Sequence, residues 1–404
     1  MAKPLSGVRV LELASHVFVP IGGGILTEWG AEVIKVEHPV TGDPYRGLVT
    51  QGLHHLHDGI DPSFQSTNRG KLSVAIDLKT DEGRDLIYRL AKECDVFLTN
   101  FRQDARRKLR IDPEDIRQHN PDIIYVRGTG YGARGPEVQR GGYDAAAYWS
   151  RAGHGFVFTR PDAELATMQR PGYGDVMGGL NIAGAISAAL YRRATTGEAS
   201  IVDVSLLGTG MWQLGPDIMS AKVNPAGVGA VHNRKATWNP IVGTYKTRDG
   251  RFLHLNMMEG DRYWADFCTV IGHPELIEDP RFIDMATRRQ NAHDCVTRID
   301  EIFAEKDYAE WLQILAPAKG VWAPMQTPLE VHDDVQAKAN GYLAEVEMIN
   351  GSQLTIVTSP AQFDEEPHQP TRAPEHGEHT ETVLLDMGLS WDEVSELKDK
   401  GVLG

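Results

Sequence analysis

The chain has 404 residues, with 41 Lys and Arg against 56 Asp and Glu, and so carries a formal net charge of −15. At about 100–200 residues per domain, this length predicts two or three domains. A strongly acidic surface repels phosphate backbones, which argues against general nucleic-acid binding. The first residues show no apolar leader, and no stretch approaches the length of an apolar membrane span. We therefore expect a cytoplasmic protein that acts without a membrane.

The cysteines and histidines predict neither a disulfide framework nor a metal site. The three cysteines are widely spaced, without a CxxC pair: Cys94, Cys268 and Cys295. Two groups of histidines lie in polar stretches without helical i, i+4 spacing: His54, His55 and His57, and His368, His376 and His379. We predict no bound metal and no permanently bound cofactor.

Short apolar runs alternate with helical patterns through the first half of the chain. Strands are predicted at 8–13, 31–37, 72–78, 95–99, 123–127 and 201–205. Thr80 is predicted to cap a helix that reaches about Cys94. Small residues at 176–194 predict a helix that packs closely against a neighbour. Strands separated by helices predict an α/β fold, with a parallel, doubly wound sheet.

The pattern changes after Val223, where residues 224–229 predict a linker. A hairpin is predicted at 244–253, because Asp249-Gly250 suits a tight turn between two strands. Amphipathic helices follow to about Ala316. We predict a large domain from 1–225 and 326–404 and a smaller α+β domain at 226–325. A strand at 353–357 and a helix from about Ser390 belong to the large domain.

Glycines 22, 23 and 24, after the first predicted strand, resemble part of a dinucleotide-binding loop, for which Glu37 would be the ribose-binding acid. The spacing is wrong, because Thr27 occupies the place of the last glycine of GxGxxG. We interpret the glycines as allowing a tight turn from strand to helix. This disfavours a nucleotide-dependent dehydrogenase.

A basic cluster follows the strand predicted at 95–99. Its members are Arg102, Arg106, Arg107, Lys108 and Arg110. In a doubly wound sheet, ligands bind outside the carboxyl ends of the strands, which favours phosphate contacts for this cluster. A solvated helix face would give the same pattern. The two interpretations are about equal on sequence alone.

Asp175 follows Gly172 and Gly174 and comes immediately before the small-residue helix. A carboxylate at a helix N-terminus is kept ionised by the helix dipole and can attack an acyl group. Neighbouring glycines would admit a bulky substrate, and free N–H groups would stabilise an oxyanion. Asp is also a favoured N-cap residue, and chemistry alone favours this purely structural role.

Six segments spread along the chain carry a family resemblance. They are PLSGVRVLELASHVFVPIGGGILTEWGAEVIKVEHPVTGDPYRG, NRGKLSVAIDLKTDEGRDLIYRLAKECDVFLTNF, GYGD, NPIVGTYKTRDGRF, PLEVHDDVQAKANGYL and TRAPEHGEHT. They resemble the class III CoA-transferases, the family of formyl-CoA and carnitine CoA-transferases and of alpha-methylacyl-CoA racemase. The resemblance implies a Rossmann-like large domain built from both chain ends, a small domain between them, and an interlocked homodimer.

The resemblance also implies a reaction and its residues. The family's catalytic aspartate falls on Asp175, which would attack an acyl-CoA thioester to give a mixed anhydride and then an aspartyl-CoA thioester. The implied substrates are an acyl-CoA and a free carboxylic acid, so that CoA is part of the substrate. CoA contacts are implied at Val17, Phe18, Ile76, Lys79, Asn100, Phe101 and Lys108. Of these, Lys79 and Lys108 would meet phosphates and Phe101 would stack on adenine.

Some features bear on the choice of substrate. His38 stands where the family often has a basic residue or proline, and the tetraglycine loop of the oxalate-specific member is missing. This absence argues against oxalate or formate. The aromatic and small residues at 142–151 predict either room for a medium-sized or branched, partly apolar acid, or a buried helix.

The alternative function is that of an alpha-methylacyl-CoA racemase, which moves an α-proton. In that branch a His precedes an Asp where this chain has Tyr143 before Asp144. A phenol with a pKa of about 10 is a poor base near neutrality, which disfavours the isomerase. His154 could serve as the base instead only if the fold brought it to the same place, which we do not expect.

Overall fold

The computed structural model describes residues 3–49, 51–52, 56, 58–225 and 233–404. They form two compact units. One combines the described residues up to 225 with those from Val335 onward, and the other runs from 233 to Asp334. Residues 326–334, which the sequence analysis assigns to the large domain, therefore cluster with the second unit. Most of the predicted linker and the boundary at 225/226 lie outside the described residues.

Six parallel strands form the sheet of the first unit. They are β1 (Arg9–Leu13), β2 (Glu32–Glu37), β3 (Leu72–Ala75), β4 (Val96–Thr99), β5 (Ile124–Thr129) and β6 (Ile201–Ser205). Their spatial order is β3-β2-β1-β4-β5-β6, and every neighbouring pair is parallel. The predicted doubly wound parallel sheet is confirmed. The strand order reverses between β1 and β4, which makes this the topological switch point.

The helices of this part of the chain are α1 (Phe18–Glu28), α2 (Pro62–Asn68), α3 (Asp81–Lys92), α4 (Gln103–Leu109), α5 (Pro113–Arg117), α6 (His154–Phe158), α7 (Tyr173–Thr196), α8 (Leu206–Gln213) and α9 (Gly215–Val223). Helices α1 and α7 cover one face of this sheet, and α3 covers the other. Val10 belongs to the core beneath α1 and α7, whereas the next residue, Leu11, belongs to the core beneath α3. Both faces are buried, so the strands read as continuous apolar runs. Thr80 caps α3 as predicted, and accepts a hydrogen bond from the Gly83 N–H at 3.0 Å.

Helices α1 and α7 meet through glycine backbones. A Cβ atom on Gly22 would lie 3.2 Å from the Gly179 carbonyl oxygen, and a Cβ on Gly179 would overlap the side chain of Ile21. The interpretation of glycines 22–24 as a strand-to-helix turn is therefore wrong. Helix α1 already begins at Phe18, and the glycines lie in its middle. Gly22 faces α7, whereas Gly23 faces Glu12 and Lys71. The prediction that the small-residue helix packs closely against a neighbour is confirmed.

The second unit has a three-stranded antiparallel sheet and five helices. The strands are β7 (Val242–Lys246), β8 (Phe252–Asn256) and β9 (Trp322–Pro324), and the helices are α10 (Gly260–Val270), α11 (Met285–Gln290), α12 (Ala292–Phe303), α13 (Tyr308–Leu315) and α14 (Pro328–Val331). The predicted hairpin joins β7 to β8, with Gly250 at φ +83° in the turn. Strand β9 was not predicted, because it is short and ends in a proline.

The rest of the chain returns to the first unit. It contains α15 (Val335–Ala339), β10 (Leu343–Glu347), β11 (Gln353–Val357), α16 (Thr380–Asp386) and α17 (Trp391–Asp399), and β10 pairs with β11 in a separate hairpin. Thr380 Oγ1 accepts a hydrogen bond from the Ala75 N–H at 3.0 Å, so this segment covers the β3 edge of the large sheet. Across the described residues, every helix is too short or too polar to cross a lipid bilayer.

Candidate active site

A cleft of about 830 Å³, including its open mouth, lies at the carboxyl ends of β1, β4 and β5. Its wall is formed by the loop after β1, by the start of α1, by residues 100–103 after β4 and by the segment that follows β5. Asp175, in the first turn of α7, completes the wall. The cleft therefore spans the switch point, where ligands bind in doubly wound folds.

Asn100 ties the two sides of the switch point together. Its Nδ2 donates a hydrogen bond to the Ser15 carbonyl oxygen at 2.7 Å, and its Oδ1 accepts one from the Ser15 N–H at 3.1 Å. Ser15 follows β1 and Asn100 follows β4. This double hydrogen bond fixes the loops that the two strands deliver to the cleft.

Buried charges support the loop after β1 from below. The Lys35 ammonium lies 2.8 Å from Asp43 Oδ2 and 3.3 Å from Glu12 Oε1, and all three side chains are fully buried. Burial by itself lowers the pKa of Lys35, but the carboxylates of Asp43 and Glu12 outweigh it and raise the pKa above the usual lysine value. Lys35 therefore stays charged and paired in the interior.

Glu37, considered above as a ribose-binding acid, is instead held by hydrogen bonds within the protein. It accepts hydrogen bonds from the Ser73 hydroxyl at 2.7 Å and from the Asp43 N–H at 2.8 Å. Burial raises its pKa, but Arg46 and Lys35 outweigh this effect and hold the pKa at about 2. Its role is to fix the segment after β2.

Asp175 occupies the third position of α7, and Gly172, at φ +82°, is the N-cap. The N-cap interpretation of Asp175 is therefore wrong. Its side chain is half-buried in the cleft wall. Burial raises the pKa of Asp175 to about 8, and the charge of Asp144 adds to the shift. The expectation that the helix dipole keeps this carboxylate ionised is not met, because burial and the charge of Asp144 favour the protonated form.

Asp144 caps a π-helix at Ala145–Arg151, where its Oδ1 accepts a hydrogen bond from the Ala145 N–H at 2.7 Å. Tyr148 of this helix packs against the backbone of Gly174, so closely that a Cβ there would overlap its ring. This contact brings the π-helix, with Asp144 at its start, to the first turn of α7. No catalytic role was predicted for Asp144 from the sequence, because a π-helix has no sequence signature that would have revealed its position.

Four arginines line the cleft, and carboxylates pair with three of them. The four are Arg102, Arg106, Arg127 and Arg140. Arg106 is buried and its Nε donates to Asp112 at 2.7 Å, while Arg127 makes two hydrogen bonds to Asp203, at 2.6 and 3.0 Å. Two members of the predicted basic cluster thus reach the lining. Arg127 and Arg140 were missed, because each stands alone in sequence.

The lining unites some of the predicted site residues and leaves out others. Those in the lining are Phe18, Asn100, Phe101 and Asp175; those outside it are Val17, Ile76, Lys79 and Lys108. Val17 borders the site, since its Cγ1 would lie 3.8 Å from a Cβ on Gly172. Ile76 is buried after β3, and Lys79 and Lys108 are exposed.

The predicted aromatic segment at 142–151 divides between the cleft and the core. Gly142 and Tyr143 line the cleft, and the Tyr143 side chain is largely exposed. Tyr148 and Trp149 are buried, and both stack on the ring of His154. The interpretation as a buried helix applies to Tyr148 and Trp149, and room for an acid beside Gly142 and Tyr143 stays a prediction.

Among the described residues there is no group of three or more His, Cys, Asp or Glu side chains arranged to hold a metal ion. His54, His55 and His57 lie outside the described residues. His368 and His376 direct Nε2 to backbone carbonyl oxygens, at 2.6 and 2.9 Å. The thiols of all three cysteines are free and buried.

Comparisons with known proteins identify the family of this chain. The model of the CoA-transferase family III matches residues 5–380. The (R)-2-hydroxy-4-methylpentanoate CoA-transferase of Clostridioides difficile is 32% identical over 400 residues, covering 99% of each chain. The cinnamoyl-CoA:phenyllactate CoA-transferase of Clostridium sporogenes is 31% identical over 402 residues, covering 98% of this chain and 97% of that protein.

A solved structure is similar in fold as well. A CAIB/BAIF family protein from Brucella suis superimposes with a TM-score of 0.82 at 28% identity, over 96% of this chain and 100% of that one. The resemblance read from the sequence is thus confirmed over nearly the whole length. The chain belongs to the class III CoA-transferase family.

Proposed function

We propose that this enzyme moves CoA from an acyl-CoA thioester to a free carboxylic acid, with Asp175 as the nucleophile. The observation that carries the proposal is the position of Asp175 in the wall of a cleft at the switch point of the sheet. A half-buried carboxyl group in such a cleft is protected from water, which would hydrolyse an anhydride.

The proposed reaction proceeds by acyl and thioester exchange at Asp175. The ionised carboxylate attacks the thioester carbonyl, which forms an acyl–aspartyl anhydride and releases CoA as its thiolate. The thiolate attacks the aspartyl carbonyl carbon, giving an aspartyl-CoA thioester and the donor carboxylate. The acceptor carboxylate then attacks this thioester, which forms a second acyl–aspartyl anhydride and releases the CoA thiolate again. The thiolate attacks the carbonyl carbon of the acceptor, which yields the new acyl-CoA and free Asp175.

CoA is proposed to bind across the carboxyl ends of the strands. The contacts inferred from the resemblance are Val17, Phe18, Ile76, Lys79, Asn100, Phe101 and Lys108. The location of Phe18, Asn100 and Phe101 in the cleft lining supports this placement. Arg102 and Arg140 in the same lining would add positive charge for the phosphates.

We propose a branched or aromatic 2-hydroxy acid as the acid substrate. The two relatives named above act on 2-hydroxy-4-methylpentanoate and phenyllactate, which are both 2-hydroxy acids with apolar side chains. Tyr143 and His16 contribute aromatic surface to the cleft. The proposal keeps the interlocked homodimer and the cytoplasmic location, which rest on the sequence analysis alone.

The test compares Asp175→Ala and Asp175→Asn with the wild type. We expect both variants to fold and to lose CoA transfer between acyl-CoA and acid, measured by mass spectrometry over a matrix of donors and acceptors. Hydroxylamine added to the wild type with acyl-CoA should mark Asp175 as a hydroxamate. Asp162→Ala, which removes an exposed carboxylate paired with Arg160, is the control and should keep full activity. Transfer at the wild-type rate in either Asp175 variant would contradict the mechanism.

A further inference from the structure

His16 has an unusual backbone conformation for a residue with a side chain. Non-glycine residues with positive φ in the described chain are His16, Asp58, Arg110, Asp364 and Glu365. Of these, only His16, at φ +66°, lines the cleft. Glycine and asparagine adopt this region more readily than histidine. A histidine here needs surroundings that enforce the conformation, and strain of this kind concentrates at functional sites.

Buried side chains hold the two residues that precede His16. The Lys35 ammonium donates a hydrogen bond to the Ala14 carbonyl oxygen at 2.7 Å. Asn100 bonds both the N–H and the carbonyl of Ser15. The backbone that leads from β1 to His16 is therefore fixed at every residue.

Asp43 holds His16 itself. Its Oδ1 accepts a hydrogen bond from the His16 N–H at 3.0 Å, and its Oδ2 lies 2.8 Å from the Lys35 ammonium. The Asp43 N–H in turn donates to Glu37 at 2.8 Å. The buried ion pair of Lys35 and Asp43 thus supports the backbone at both Ala14 and His16. The left-handed turn at His16 cannot relax without breaking the hydrogen bond that Asp43 accepts.

The result is that the imidazole of His16 is held in the cleft wall against two tyrosine rings. The ring stands edge-on to Tyr143, with centroids 5.8 Å apart, and to Tyr45, at 6.4 Å. Tyr143 lines the same cleft and is 68% exposed. Asp175 lines this cleft as well, so His16 and the Asp175 carboxyl group share one cavity.

From this geometry we propose that His16 is a catalytic residue that contacts the acyl group, and that Asp43 is the residue that positions it. The imidazole N–H donates a hydrogen bond to the acyl oxygen as negative charge develops there during attack by Asp175. The inference rests on the proposed function, since it needs an acyl group at Asp175. It explains why a strained histidine occupies a position where glycine would fit without strain.

The test uses two substitutions that keep the left-handed backbone. His16→Asn and His16→Gly both suit positive φ, so we expect them to unfold at the same temperature as the wild type or higher. Glu365→Gly is the matched control, because Glu365 also has positive φ, at +62°, and lies outside the cleft lining. Thermal unfolding, steady-state transfer kinetics and calorimetric binding of CoA are measured for all three variants.

We expect kcat to fall at least about tenfold in His16→Asn and His16→Gly, with the Kd for CoA changed by less than about twofold. Glu365→Gly should keep the wild-type kcat. A wild-type kcat in both His16 variants would overturn the inference, as would an equal fall in Glu365→Gly. Failure of the wild type to form a hydroxamate at Asp175 would instead overturn the proposed function, so the two failures are distinguishable.

Discussion

The carboxyl group of Asp144, which caps the π-helix packed against the first turn of α7, adds its charge to the effect of burial in raising the pKa of Asp175. Asp144 Oδ1 caps the π-helix, whereas its Oδ2 is buried and has no hydrogen-bond partner among the described residues. A carboxylate without a compensating partner disfavours a second negative charge nearby. The ionisation of Asp175 is therefore coupled to a residue at the start of another helix.

This coupling predicts a pH dependence of catalysis. Because Asp175 must be ionised to attack, kcat/KM of the wild type is expected to rise with pH and to level off above about 8. Asp144→Asn keeps an oxygen to cap the π-helix but removes the charge, so its profile should shift to lower pH. Asp284→Asn, at the cap of α11 in the second unit, is the control and should keep the wild-type profile. An unshifted profile in Asp144→Asn would show that burial alone sets this pKa.

The same raised pKa predicts an effect on stability. In the unfolded chain an Asp titrates near about 3.9, whereas the pKa of Asp175 in the folded protein is about 8. Between these values the folded protein binds a proton that the unfolded chain has released, so wild-type stability falls as pH rises through this window. Asp175→Asn has no such titration.

The melting temperature of Asp175→Asn should therefore exceed that of the wild type by a margin that grows from about pH 4 to about pH 8 and is constant above it. Scanning calorimetry across this range measures the margin. A constant difference at all pH values would contradict the raised pKa.

A third prediction concerns the phosphates of CoA. Arg102→Glu in the cleft lining and Lys108→Glu in the last turn of α4 are both expected to raise the Kd for acyl-CoA several-fold, and added salt should weaken binding to the wild type. Lys246→Glu, on β7 of the second unit, is the control and should bind as the wild type does. An effect of Arg102→Glu alone would restrict the phosphate contacts to the lining. Binding indifferent to salt and to both substitutions would remove the basic cluster from the site.

A fourth prediction separates CoA transfer from isomerisation. Incubation of a 2-methylacyl-CoA with enzyme in heavy water should give no deuterium at the α-carbon beyond the uncatalysed rate, because Tyr143 is a poor base near neutrality. His154 does not replace it: the ring is buried between Tyr148 and Trp149, and burial lowers its pKa. CoA exchange with a free acid should proceed in the same mixture. Enzyme-dependent deuterium uptake without CoA exchange would favour the racemase.

A fifth prediction uses two glycines of α7. In Gly179→Ala the new Cβ would overlap Ile21 and lie 3.1 Å from the Gly22 nitrogen and the Phe18 carbonyl oxygen, so the free energy of unfolding should fall by roughly 1–3 kcal/mol. In Gly184→Ala the Cβ would have nothing within 4 Å, and helix propensity should add roughly 0.5–1 kcal/mol. Denaturant unfolding measures both. Equal effects in the two variants would contradict the close contact of α1 and α7.

The sheet could be predicted from the sequence because each strand is an apolar run between helical patterns. The predicted strand at 201–205 matches β6, and the other five differ from the structure by a few residues at their ends. Asp175 stood out because glycines surround it before a long helix. The burial of Asp175 and its proximity to Asp144 were not predictable, since both depend on how a π-helix packs against α7.

The glycines of α1 illustrate a second limit of prediction from the sequence. Gly22 and Gly23 are compatible with a turn, a phosphate loop or a close helix contact when only neighbouring residues are considered. For Gly22 the choice depends on α7, which follows far later in the chain, and for Gly23 it depends on the buried pair of Glu12 and Lys71. His16 was not singled out for the same reason, because the residues that fix it, Asp43 and Lys35, act through the fold.

The contact between α1 and α7 also bears on how such an enzyme can change its substrate. Where Gly22 faces Gly179, main-chain atoms set the spacing of the two helices. There is no side chain at this contact whose substitution could adjust the spacing gradually. Asp175, in the first turn of α7, is therefore kept in constant register with the loop after β1. Under the proposed function, a change of acyl group would be made in the segment at 130–143, whose side chains line the cleft without supporting this register. The proposed reacting centre and this wall of the cleft can thus evolve separately.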